Sequence, residues 1–380
     1  MILGIDASRA ASRQRTGTEA YAYFLIRALI PLAAEGDHQV RLYFNQPPTS
    51  DLFPRMAHVD SIVIPRDRLW THTRLRQELI KGPPDIFFTP AHVIPIGYRG
   101  PSVATIHDLG YEYFPEAHPR RQLAYLRWST RHNARAGHRV IADSKATQVD
   151  LARYYKVDPD KVNVIYPGID PDIRRIEDDR QTTFVLEKYD IRTPYLLYVG
   201  TLQPRKNLVR LIEAFAQTGL YRRGISLVLV GKVGWLAQPI LDAIGELPAN
   251  IREHIKLTGY IGETEKNLLL SGAKAMVFPS LYEGFGFPVL EAQACGTPVI
   301  CSNTSSLPEV AGEGAILVDP LNTDALAHAM RAIVDDEPQR LEMVKRGFAN
   351  LQRFDWRVTA SRVLAVLESV MNQVVDPNPP

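Results

Sequence analysis

Two cysteines in 380 residues, Cys295 and Cys301, are too few for a disulfide framework and sit in no metal-ligand spacing. They read as small buried hydrophobes in a reducing compartment. No stretch approaches the ~18 apolar residues that span a bilayer, which excludes a transmembrane helix and leaves only peripheral membrane contact. The opening MILGIDASRA has no basic segment, and its apolar run is too short for a secretory signal. The expected location is therefore cytoplasmic. Net charge is only +2, with the basic excess in the first half of the chain and a mildly acidic remainder. Without a basic stripe or a recognition motif, nucleic acid is not an expected partner. Short-period repeats and low-complexity segments are absent as well.

What the chain has instead is ordinary globular composition, 45% apolar and 23% charged, at a length that exceeds one growing core. Short β-branched apolar runs recur, each closed by a turn signal and followed by a helical pattern. The first half holds MILGIDAS, QVRLYF, SIVIP, DIFFTP, SVATIHD, HRVIADS and VNVIYPG. The second holds PYLLYVG, ISLVLVG, HIKLTGYIG, AKAMVFPS, TPVICSN and GAILVD. Such runs between amphipathic helices are what a parallel sheet buried on both faces requires. The fold class expected is α/β: two doubly wound, Rossmann-like domains, with ligands outside the carboxyl ends of the strands in a central cleft. The predicted domains are 1–170 and 171–355, joined through the Pro- and charge-rich PGIDPDIRRIEDDRQ. A terminal segment, 356–380, carries one more helix from Trp356 and ends in DPNPP, which cannot continue it.

The stretch EGFGFPVLEAQACGTP, 283–298, poses a charge problem. Pro288 suits the first position of a helix that Gly296 ends, so free backbone N–H groups around Phe287, Val289 and Leu290 favour an anion. Yet carboxylates flank it, at Glu283 and Glu291. A carboxylate against a phosphate is repelled by about 4 kcal/mol at roughly 4 Å and an effective dielectric near 20. The glutamates are better suited to vicinal diols, which offer paired donors. A ligand with phosphate in the middle and a sugar at each end, a nucleotide sugar, answers both demands.

Other candidates follow strands. GTLQPRKN, from Gly200, brings Arg205 and Lys206, cations able to stabilise a departing diphosphate. Gly17 and Thr18 open the first helix after a loop with Arg9, Arg13 and Arg15, which would tolerate an anionic acceptor. His107 ends the strand of ATIHD and, as neutral imidazole, could bond a sugar hydroxyl. The pairs Asp158-Pro-Asp160 and Asp170-Pro-Asp172 read as turns, not metal sites. The arginines of 118–139 (Arg120, Arg121, Arg127, Arg131, Arg135 and Arg139) form either a solvated helix face or a surface for anionic lipid or a polyprenyl-diphosphate acceptor.

Together EGFGFPVLEAQACGTPVICSNTSSLPEVAG, LLYVGTLQPRKN, HDLGYEYFP, IADSKAT and the ending FDWRVTASRVLAVLESV resemble the retaining glycosyltransferases of family 4, group 1, of GT-B fold. The resemblance implies that Glu291 holds the ribose diol and Glu283 the donor hexose. It also implies that the backbone at Phe285, Gly286 and Phe287 lines hexose and diphosphate, which Arg205, Lys206 and Gly17 approach. His107 would support the oxocarbenium ion, and Tyr260 would wall the base. Thr201 stands where many members have Arg. Front-face retention without metal or other cofactor is implied, and the terminal helix would cross back onto the amino-terminal domain. The favoured donor is GDP-mannose, with UDP-glucose, UDP-N-acetylglucosamine or a deoxysugar nucleotide as alternatives; the acceptor would be a glycan or lipid-linked glycan. Rival readings are a GT-B epimerase or phosphorylase and a non-catalytic sugar-nucleotide binder. A dinucleotide oxidoreductase fits worse, because Val289 replaces the third glycine of GxGxxG.

Overall fold

The apolar runs become strands one for one. The structure, a computed structural model, describes residues 1–12, 15, 17–49, 52–66 and 69–375; Arg13 and the tail 376–380 lie outside the described residues. One seven-stranded sheet contains β1 (Ile2–Asp6), β2 (Gln39–Phe44), β3 (Val59–Val63), β4 (Ile86–Thr89), β5 (Ser102–Ile106), β6 (Arg139–Ala142) and β7 (Val162–Val164). Its spatial order is β3-β2-β1-β4-β5-β6-β7. A six-stranded sheet contains β8 (Tyr195–Val199), β9 (Ser226–Val230), β10 (Ile255–Gly259), β11 (Ala275–Phe278), β12 (Val299–Ser302) and β13 (Ala315–Val318). Its order is β10-β9-β8-β11-β12-β13. Every pairing in both sheets is parallel.

Local sequence explains the layers. β8, β9, β11 and β12 are buried along their whole length, so helices cover both faces and no polar alternation is needed. The helix Leu208–Thr218 buries Leu208, Leu211, Ile212 and Phe215, one apolar stripe at helical spacing, and Gly219 ends it in the left-handed conformation.

Two compact units result. The first comprises Met1–Glu112, His118–Gly168 and the chain from Phe354 on; the second comprises Tyr113–Ala117 and Ile169–Arg353. In the first unit the long helix Trp356–Val375 packs on the helix Gly17–Glu35. Trp356 stacks on Phe24 at 5.6 Å and meets Tyr21 edge-on at 5.8 Å. Val363, Leu367 and Val370 are buried beside it, each contributing roughly 1.5–3 kcal/mol. Gly168 lies so close that a Cβ there would sit 2.5 Å from the Trp356 nitrogen. In the second unit the apolar-poor segment after Gly168 is tied down. Ile173 is buried, Ile176 N–H donates to Ser271 Oγ at 3.0 Å, and a helix, Asp179–Lys188, follows.

The cysteines are buried and unbridged, and burial pushes the Cys301 thiol up to about 12. Asp158 and Asp170 each accept a hydrogen bond from the backbone two residues on, at 3.0 and 2.9 Å, as turn formers do. Among the described residues no helix is long and apolar enough to cross a membrane.

Candidate active site

In the second sheet the strand order reverses between β8 and β11. The loops leaving their carboxyl ends stand at the switch point, the place where ligands of such sheets bind. The loop after β8 carries Arg205 and Lys206; the loop after β11 carries Glu283. The structure brings these three together. Lys206 Nζ donates to Glu283 Oε1 at 2.5 Å and Arg205 Nη1 to Oε2 at 3.0 Å, while Ser280 Oγ also donates to Oε1 at 2.5 Å. Arg205 further bonds the Tyr282 carbonyl, and Lys206 lies over the Phe278 ring at 5.0 Å.

Glu283 is only 7% exposed. Burial alone would raise its pKa, but the charges of Arg205 and Lys206 and the hydrogen bonds of Lys206 and Ser280 hold it down at about 2. The carboxylate is therefore ionised and three of its roughly four acceptor positions are filled. Two cations against one anion leave the cluster with a net positive charge.

The two cations lie outside the helix that follows them. They form a separate 3-10 turn, Pro204–Lys206, and Asn207, left-handed at φ 59°, divides it from Leu208–Thr218. Their use is to meet Glu283, not to oppose a dipole. Gly200, at φ 151°, passes so near the next strand's loop that a Cβ on Gly231 would fall 2.0 Å from its carbonyl.

The helix predicted after the Gly-Phe-Gly-Phe-Pro loop is Phe287–Ala294, beginning one residue before Pro288. Gly286, at φ 113°, caps it in a conformation that L side chains rarely adopt. Phe285 is buried and meets Phe287 edge-on at 5.1 Å. Ser306 Oγ donates to the carbonyls of Glu283 and Phe285, and Glu283 N–H to Ser305 Oγ, which pins the loop. The expectation of free N–H groups from Phe287 to Leu290 needs correction. Pro288 has none and Val289 N–H is spent on the Gly286 carbonyl at 3.0 Å, so the anion-facing donors narrow toward Phe287.

Glu291 is held by a residue that the sequence reading missed. Lys266, from the helix Glu263–Gly272, lies 2.9 Å from Glu291 Oε2 and 2.6 Å from Glu263 Oε2. Burial opposes its charge, but the two carboxylates raise its pKa above the usual lysine value. Asking what balances Glu291 was the one signal that could have found it. Tyr260 is exposed beyond the carboxyl end of β10, two strands along the rim from β8.

Gly17, Thr18 and His107 belong to the first unit. Gly17 begins its helix with open space where a Cβ would stand, and Thr18 Oγ1 donates to Glu19 at 3.4 Å. His107 differs from expectation. Its Nδ1 meets Asp143 Oδ2 at 2.6 Å and its Nε2 meets the Pro90 carbonyl at 2.8 Å. The Pro90 carbonyl accepts, so Nε2 donates, and Nδ1 shares a proton with the Asp143 carboxyl, which favours a charged ring. Burial opposes that charge, yet Asp143 and the Pro90 carbonyl outweigh it and raise the pKa. The neutral imidazole offering a nitrogen to a sugar hydroxyl is not what this geometry holds.

Two family models match the chain, one for each half. "Glycosyltransferase Family 4" covers residues 15–173 and "Glycosyl transferases group 1" covers residues 180–349. The O-antigen chain mannosyltransferase B of Escherichia coli is 29% identical over 308 residues, 80% of this chain and 77% of that one. Among solved structures, sucrose-phosphate synthase from Thermosynechococcus elongatus superposes with a TM-score of 0.73 at 21% identity, covering 97% of this chain and 98% of that one. The Anabaena protein HepE, solved with UDP-glucose, gives 0.72 at 19%, covering 97% and 99%. At such identities the structural likeness is one of fold. The family models together span most of the sequence, and the chain belongs to the glycosyltransferases of family 4, group 1, with their GT-B fold.

Proposed function

We propose that this glycosyltransferase moves a hexose, with retention, from a nucleotide sugar to a glycan or lipid-linked acceptor in polysaccharide synthesis. The observation that carries the reading is the Glu283–Arg205–Lys206 cluster at the switch point of the second sheet. Its surplus positive charge suits a diphosphate, and each such contact to a departing oxyanion is worth about 3 kcal/mol in the transition state. The acceptor position left on Glu283 suits one hexose hydroxyl. Glu291, oriented by Lys266, takes the ribose diol, and the backbone from Phe285 to Phe287 lines the hexose and diphosphate. Tyr260 walls the base, and Gly200 approaches the donor phosphates. His107 is cast as a positioning residue that fixes Pro90.

With no enzymic nucleophile assigned, retention is read as front-face attack. The acceptor oxygen bonds the anomeric carbon as the carbon–phosphate-oxygen bond breaks, and the departing phosphate oxygen takes the acceptor proton. Arg205 and Lys206 supply the charge stabilisation, so the reading is metal-independent. GDP-mannose is the first donor, supported by the Escherichia coli relative's being a mannosyltransferase. UDP-glucose is the second, because HepE was solved with it. Transfer from each labelled donor to a glycan primer, with the anomeric configuration of the product read by NMR, tests all of this. An inverted product, an epimerised donor or phosphorolysis alone contradicts it.

The enzyme is further read as cytoplasmic and peripheral to an anionic membrane through Arg120, Arg121 and Arg135. These are exposed on the helix Arg120–Ala136, whereas Arg127 is paired with Glu112 at 2.8 Å. Liposome sedimentation indifferent to anionic lipid and to salt would remove this part.

A further inference from the structure

The first unit carries an open hollow on the rim of its sheet opposite the strands' carboxyl ends. The helix Arg120–Ala136 stops just before the amino end of β6. The helix Lys145–Tyr155 runs into a 3-10 turn, Pro159–Lys161, which stops just before the amino end of β7. Between these two endings lies a depression of about 460 Å³. Its floor is apolar: Ala134 and Val157 are buried in one cluster with Val140, Leu151 and Val162. Its walls are basic. Arg131, Arg135, Lys156 and Lys161 line it, against the single carboxylate of Asp158.

The partners of these cations are neutral. Lys156 Nζ donates to the Arg153 carbonyl at 3.1 Å, and Lys161 Nζ lies 3.5 Å from the Arg135 carbonyl. The Arg131 guanidinium stands over the Tyr155 ring at 5.8 Å, and Arg139 donates to the Asp160 carbonyl at 2.6 Å. Asp158 spends an oxygen on its own turn, accepting from Asp160 N–H at 3.0 Å. Among the described residues no carboxylate stands within ion-pair distance of any of these five basic side chains. Arg127 of the same helix, by contrast, is paired with Glu112 at 2.8 Å. Lysines withdrawn from water elsewhere have carboxylates too, Lys206 with Glu283 and Lys266 with Glu291. The hollow's surplus is felt by its neighbours. Burial and the Arg139 charge lower the Lys161 pKa, and burial and the Lys161 charge lower that of His138. A lysine pushed toward losing its proton is one that lacks a counter-ion.

Basic residues in the last turn of a helix also answer its dipole, which accounts for Arg135 by itself. It does not account for Lys161, which belongs to no α-helix, or for the convergence of four cations on one concavity. Lys156 ends its helix in the left-handed conformation, at φ 57°, where glycine fits most easily. The wall behind the cations is rigid. Tyr155 Oη donates to Glu112 Oε1 at 2.6 Å and meets Tyr111 Oη at 3.1 Å, and Tyr111 donates to Thr130 Oγ1 at 2.7 Å.

A preformed hollow with several unneutralised cations suits a compact anion of high charge. Linked phosphates supply that charge, with neighbouring acceptor oxygens that match the forks of two arginines. We propose that this hollow is a binding site for an oligophosphate, a ligand of two or more linked phosphates, held by Arg131, Arg135, Lys156 and Lys161. It stands apart from the β8–β11 switch point and rests on no part of the donor reading. Phospholipid headgroups offer the same phosphate chemistry from another source, so the test separates the two.

Isothermal titration calorimetry of the full chain with sodium tripolyphosphate, at low salt, reads the site. Arg205→Met is the background, because it removes the surplus charge of the Glu283 cluster. This protein should bind tripolyphosphate saturably. Adding Arg131→Met and Lys161→Met should weaken binding tenfold or more, whereas Arg131→Lys with Lys161→Arg should lose less than threefold. Arg120→Met with Arg121→Met, on the first turn of the same helix, should change it less than twofold. Tripolyphosphate should also raise the melting temperature of the background protein and not that of the Met pair, whose unliganded melting curve reports folding. Absence of saturable binding, or equal binding by the folded Met pair, overturns the site. An equal loss in the Arg120→Met, Arg121→Met protein also overturns it, as general attraction to a basic surface. Sedimentation with phosphatidylglycerol vesicles is the second arm. Vesicle binding abolished by the Met pair, without tripolyphosphate binding, overturns the soluble ligand in favour of a headgroup.

Discussion

The two sheets reverse their strand order in the same way and fill the resulting crevices with opposite chemistry. In the second unit a buried carboxylate is gripped by two permanent cations, and another carboxylate by a lysine. In the first unit two imidazoles are each held by an aspartate, His107 by Asp143 and His92 by Asp6. The contrast teaches what each crevice tolerates. Permanent charge in surplus suits a pyrophosphate, whose own charge does not vary near neutrality. Histidines held by aspartates suit a positioned loop, as His107 does for Pro90. Fold alone does not choose between these, since the frame is shared.

The sharpest way to break the comparison is to remove the buried carboxylate of the second unit. Glu283→Gln leaves Arg205 and Lys206 without a counter-ion and should cost about 3–5 kcal/mol, seen as a large fall in melting temperature, together with at least a hundredfold loss of transfer. Adding Lys206→Met should restore much of the melting temperature and none of the transfer. Recovery of both would mean that the cluster is scaffolding only.

Acid titration separates the crevices next. A carboxylate whose folded pKa is depressed contributes stability above its unfolded value, lost as pH falls through the folded one. For Glu283 that window runs from about 4.5 down to about 2. Wild-type stability should fall across it by on the order of 3 kcal/mol more than that of Glu283→Gln. His107 has the opposite sign. Its pKa is raised, so its contribution is complete below the unfolded value, about 6.5, and is lost as pH rises through the folded one. Thermal unfolding of Asp143→Asn should lack that alkaline decline; an identical slope in both proteins would remove the imidazolium assignment.

A smaller effect is expected at the nucleotide end. Lys266→Met should raise the donor KM about tenfold, or ~1.4 kcal/mol, with kcat nearly unchanged, because ribose binding is uniform through the reaction. A kcat loss with unchanged KM would place Lys266 elsewhere in the chemistry.

The frame was legible because parallel strands buried on both faces write continuous apolar runs, such as PYLLYVG and AKAMVFPS, with turn residues at their ends. Glu283, Arg205 and Lys206 were legible as types in suggestive places. Their mutual pairing was not, since Lys206 and Glu283 are 77 residues apart and loop-to-loop charge matching has no local signature. Lys266 looks like any surface lysine on an amphipathic helix. Asp143 lies 36 residues from His107, and Asp6 lies 86 from His92. Each pair exists only once the strand order sets their loops side by side. The protonation of His107 was misread for the same reason, because two distant acceptors decide it.

The most direct measurement is a crystal structure of the full chain with GDP-mannose, or with UDP-glucose should that be the donor that binds. The account predicts diphosphate oxygens within about 3 Å of Lys206 Nζ or an Arg205 nitrogen, a hexose hydroxyl on Glu283, and the ribose on Glu291. A nucleotide bound away from the β8–β11 crevice, with the Glu283 cluster untouched, would contradict it.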